Sequence, residues 1–62
     1  MTNEEFLKTL PNEQMVKEII KQYGEFIYAN LMPSLNFWEI EVNATIDFYN
    51  WLKAEHKEEV IE

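Results

Sequence analysis

Few side chains in this sequence could do covalent chemistry, and they are scattered. His56 is the sole histidine and Ser34 the sole serine. With Asp47 they complete the residue types of a nucleophile, a base and an orienting acid. Ser34 follows Pro33, however, and that context suits a turn or a helix N-cap better than a nucleophile. His56 lies among Glu55, Lys57, Glu58 and Glu59. A zinc site there would need carboxylates for all its other ligands, because no second histidine and no cysteine exist. The expected role of His56 is therefore an exposed residue at a helix end, with a carboxylate–histidine metalloenzyme as the competing hypothesis. Glu39 and Glu41 could form an acid–base pair on a strand, where they would share one face. On a helix they diverge, and a solvated acidic surface is the expectation. A single glycine rules out a glycine-rich phosphate loop. Asn43-Ala44-Thr45 matches a glycosylation sequon, but nothing in the sequence directs the chain to a secretory route.

The elements that would position these groups are helical. Sixty-two residues make one small domain, 1–62, with no room for a two-domain enzyme or a barrel. One Gly, two Pro and 47% hydrophobic residues argue against both a turn-rich β fold and a disordered tail. The pattern predicts an all-α, three-helix bundle. A short helix spans 3–9, opened by a capping box at Thr2 and Glu5 and stopped by Pro11. The second spans 12–31, with Met15, Val16, Ile19, Ile20, Tyr23 and Ile27 at helical spacing. Pro11 is suited to its first turn, and Gly24 is a soft spot within it. The third spans 43–58, with Asn43 as a candidate cap. Residues 35–42 fit either a helix or an extended segment, since Trp38, Ile40 and Val42 alternate with Glu39 and Glu41.

Charge narrows the partners. Twelve acids face five bases, all lysine, for a formal net charge of -7. Residues 23–52 hold Glu25, Glu39, Glu41 and Asp47 with no base, and eight of the nine aromatics lie between Tyr23 and Trp51. That sign disfavours direct nucleic-acid binding and anionic membranes, and favours a basic protein surface. No apolar run could span a membrane and no signal peptide is evident, so a cytoplasmic protein is expected. No cofactor is implied. Tyr and Trp are also favoured interface anchors. The expected partner surface comprises Tyr28, Trp38, Glu39, Glu41, Asp47, Tyr49 and Trp51. A cysteine-free chain this short also has reason to self-associate, as a dimer.

Four segments follow a known order: Met1-Thr2-Asn3, then Leu10-Pro11-Asn12-Glu13-Gln14, then Ile27-Tyr28, then Trp51-Leu52-Lys53-Ala54-Glu55. In that order the chain resembles a family of short cysteine-rich proteins encoded in bacteriophages and prophages of Gram-positive bacteria. The resemblance covers most of the chain. Where that family carries its first cysteine pair this chain has Tyr23 and Phe26, and near the later cysteine it has Ala44. The resemblance thus implies a chain whose metal site has been replaced by apolar packing, whether as a relative, an engineered variant or a designed sequence. It implies no enzymatic activity. The function expected is a non-catalytic interaction module, such as a phage accessory protein that binds a host protein. The alternatives are a nucleic-acid-mimicking inhibitor of a DNA-binding or defence enzyme, and a structural homo-oligomer.

Overall fold

The computed structural model describes residues 1–33 and 36–57, and these form three helices: α1 (Asn3–Lys8), α2 (Asn12–Leu31) and α3 (Phe37–Lys53). The all-α bundle expected from the periodicity is the fold. α1 opens on the predicted capping box. The Thr2 hydroxyl accepts from the Glu5 amide at 3.2 Å, and the Glu5 carboxylate accepts from the Thr2 amide at 2.9 Å. Two orphan amides of the first turn are thereby satisfied. Pro11 sits one position before α2, and its carbonyl accepts from the Met15 amide at 2.9 Å. Having no N–H to lose, it costs the helix start nothing.

Residues 37–42 are helical. The Asn36 side chain accepts from the Trp38 amide at 2.9 Å, so α3 begins there and Asn43 lies in its interior. The extended alternative fails for these residues because the cap starts one continuous helix through Glu39, Glu41 and Asp47. Ser34 and Leu35 lie outside the described residues.

The predicted end of the third helix needs correction. α3 stops at Lys53, and Ala54 turns to an extended conformation. Residues 54–56 then run antiparallel to the N-terminus. The Asn3 amide donates to the Ala54 carbonyl at 2.9 Å, and the His56 amide donates to the Met1 carbonyl at 2.8 Å. These bonds compete with another helical turn and win. They also satisfy backbone groups that a frayed helix end would leave to water. Residue 58, the predicted end, lies outside the described residues.

The core is thin. Among the described residues, Leu7, Ile40 and Ala44 are its buried apolar members, and no large side chain is fully enclosed. α2 and α3 make most of the contact between elements, through half-buried side chains. Tyr23 meets Phe48 edge-on at 5.9 Å between ring centroids, and Phe48 meets Trp51 at 5.5 Å. Phe26 is half-buried and Ala44 is buried outright.

Candidate functional site

What α2 and α3 leave uncovered is the most distinctive surface of the molecule. On α2 the half-buried side chains Met15, Ile19, Tyr23, Phe26 and Asn30 define the inner face. A second seam of Ile20, Gly24, Ile27 and Leu31 is turned outward from it, in the 4-3-4 spacing of a helix-packing stripe. Ile20 is 66% exposed and Leu31 is exposed too, while Ile27 is half-buried. α3 repeats the arrangement with Trp38, Val42, Thr45 and Tyr49, again spaced 4-3-4. Trp38 is 68% exposed and Tyr49 is exposed. The Tyr23 hydroxyl, at the edge of the inner face of α2, lies 3.2 Å from the Thr45 hydroxyl of the α3 seam.

α1 occupies the other side of the pair. Its Asn3 amide nitrogen donates to the Trp51 carbonyl at 2.7 Å. Phe6 and Leu10 line an open cleft of about 730 Å³ with Gln14, Glu18, Trp51 and His56. The first face is therefore apolar and open, and the second is covered by α1 and the 54–57 segment.

The seven expected partner residues divide between these environments. Trp38 and Tyr49 stand on the outward seam of α3, and Lys53 lies over the Tyr49 ring at 4.1 Å. Tyr28 is 76% exposed on the flank of the α2 seam. Glu39 and Glu41 are both exposed, but two residues apart on a helix they point to different sides. Asp47 and Trp51 face inward. Asp47 accepts from the Asn30 side chain at 3.0 Å, and Trp51 packs on Phe48. Val16 and Ile20, read from the sequence as part of the helical stripe of α2, are exposed, and so are Leu31, Met32 and Phe37, which the sequence reading did not place on a partner surface. For Ile20 and Leu31 the signal was a second apolar stripe beside the core stripe of α2.

His56 is not an exposed helix-end residue. It lies past the helix, half-buried, with its ring stacked on Phe6 at 3.8 Å and 9° between planes. Its Nδ1 is 2.9 Å from the Asn3 Oδ1. The other arm of Asn3 donates to a carbonyl, which can only accept, so the oxygen must face the histidine. Nδ1 therefore carries the proton, and in the neutral ring Nε2 holds the lone pair. The ring thus packs and bonds within the fold. Ser34 lies outside the described residues. Among the described residues, no group of three or more His, Cys, Asp or Glu could hold a metal ion.

Two perturbed groups sit at the same closure. The Met1 ammonium donates to Glu55 Oε1 at 2.6 Å, and this hydrogen bond and ion pair raise its pKa. The backbone and side-chain hydrogen bonds from Thr2 hold the Glu5 carboxyl below its usual range. Both groups are exposed, so they tune local order more than total stability.

No described helix is long and apolar enough to cross a membrane. Comparison with protein-family models, with curated proteins and with solved structures gives no match in any of the three.

Proposed function

We propose that this chain is a non-catalytic protein-interaction module that works by docking its outward α2–α3 face on another protein surface. The observation that carries the reading is the make-up of that face. Its eight seam positions hold no charged residue, in a chain whose net charge is -7. Exposed apolar side chains scattered singly need no explanation, but a contiguous patch rimmed by polar residues marks an interaction site. Trp38 and Tyr49 supply rigid aromatic anchors, and the acids outside the face discourage non-specific association. Action inside the cell, as a phage accessory protein on a host target, is the role the cysteine-rich resemblance suggests.

Charge mimicry of nucleic acid has less support. A mimic needs a row of carboxylates on one surface. Glu39 and Glu41 diverge, and Asp47 is held by Asn30.

A photo-crosslinking side chain placed at Trp38, and at exposed Lys8 as a control, tests the proposal. Discrete protein adducts from position 38, lost when Ile20→Glu is added, are expected. Identical adducts from both positions, or none from position 38, would contradict it.

A further inference from the structure

We propose that the occupant of the outward face is a second copy of this chain, packed with α2 crossing α2 in antiparallel sense at Gly24. The inference rests on the interaction reading above and names its partner.

Gly24 is the first argument. It lies inside a 20-residue helix, where glycine costs about 1 kcal/mol relative to alanine. Nothing among the described residues explains that cost, because a Cβ built on Gly24 meets none of their atoms within 4 Å. Its φ is not positive either, so no special backbone conformation requires glycine. The remaining use of a missing side chain is close approach by a backbone from outside. Gly24 sits where such an approach would occur, between Ile20 and Ile27 on the outward seam.

The seams are the second argument. Two adjacent helices with parallel 4-3-4 stripes form half of a four-helix layer packing, and an identical half completes it. A two-fold axis near Gly24 makes the contact self-complementary, as a closed dimer requires. Ile20 of one copy then comes level with Tyr28 of the other, and Val16 with Met32. All four are exposed in the single chain.

Charge selects between occupants. A basic partner would find no carboxylate on the seams to pair with. A second copy brings none at the eight seam positions to bury, and the acid nearest them, Glu41, stands one turn before Thr45 on α3.

Sedimentation equilibrium of the whole chain and two variants tests this. Wild type should sediment at twice the 7.5 kDa chain mass in the micromolar range. Gly24→Ala should weaken the dimer about tenfold or more through overpacking at the crossing, although the added methyl improves helix propensity. Ile20→Glu should sediment as monomer with its helical circular dichroism retained. A wild-type chain that stays monomeric to millimolar concentration overturns the proposal. So does a dimer that Gly24→Ala strengthens or leaves unchanged. A monomer that still gives the position-38 adducts with another protein refutes the second copy but leaves the interaction module standing. A monomer without those adducts removes both.

Discussion

Replacing Asn3 with alanine should destabilise this small fold far more than its place near the N-terminus suggests. Asn3 is 4% exposed and is the buried polar residue among those described. Its amide nitrogen donates to the Trp51 carbonyl at 2.7 Å, and its oxygen accepts from His56 Nδ1 at 2.9 Å. Losing the first bond costs about 1 kcal/mol. Losing the second leaves a half-buried ring N–H without its acceptor, worth about 1.5 kcal/mol more. Alanine returns about 0.5 kcal/mol through better helix propensity. The net loss is about 2 kcal/mol, which in a domain this size lowers the melting temperature by about 15 °C. Thermal unfolding followed by circular dichroism at 222 nm is the assay. His56→Ala should cost a similar amount, since it removes the same bond and the Phe6 stack. The double variant should show a coupling of about 1 kcal/mol in a double-mutant cycle. A shift below about 4 °C for Asn3→Ala, or strict additivity of the two changes, would refute the reasoning.

Three other outcomes follow from the same geometry. The lowered pKa of Glu5 supplies stability that is present above its unfolded value near 4.5 and is lost as pH falls through the folded value. The raised pKa of the Met1 amine supplies stability that is complete below 8.0 and is lost as pH rises through the folded value. Because both groups are exposed, the effect should be read locally: the Thr2 and Asn3 amide chemical shifts should hold steady between those limits, with Glu5→Gln flattening the acid limb and Glu55→Gln the alkaline one. Ala44→Leu should cost about 1–3 kcal/mol by urea denaturation, because Ala44 has no exposed surface and the helices would have to part. Trp38→Ala, at an exposed site, should change the stability of the monomeric Ile20→Glu background by less than about 0.5 kcal/mol. In the wild-type background it should weaken association measurably by analytical ultracentrifugation.

Much of the fold was legible because local signals agreed. Thr2 with Glu5, Pro11, and the helical spacing from Met15 to Ile27 each specify a helix start, a boundary or a helix without tertiary information, although that spacing joins inward Met15, Ile19 and Tyr23 to exposed Val16 and Ile20. The segment from Asn36 to Val42 was ambiguous because its apolar residues satisfy both periods, and a cap at Asn36 decides it. The end of the third helix and the setting of His56 were not legible. Both depend on Met1 and Asn3, more than fifty residues away, and no periodicity encodes such a pairing. Asp47 and Trp51 share sequence character with Trp38 and Tyr49, yet helix phase turns one pair inward and the other outward. Gly24 read alone is only a weak point in a helix. Its meaning emerges once the space around it is seen to be open.

The most direct test of the outward face is isotope-filtered nuclear Overhauser spectroscopy on a mixture of labelled and unlabelled chains. Intermolecular contacts from the Ile20 and Ile27 methyls to the Tyr28, Trp38 or Tyr49 rings are predicted. Intermolecular contacts confined to the α1 side, around Phe6 and Leu10, or none at a concentration where the chain is fully associated, would contradict the account.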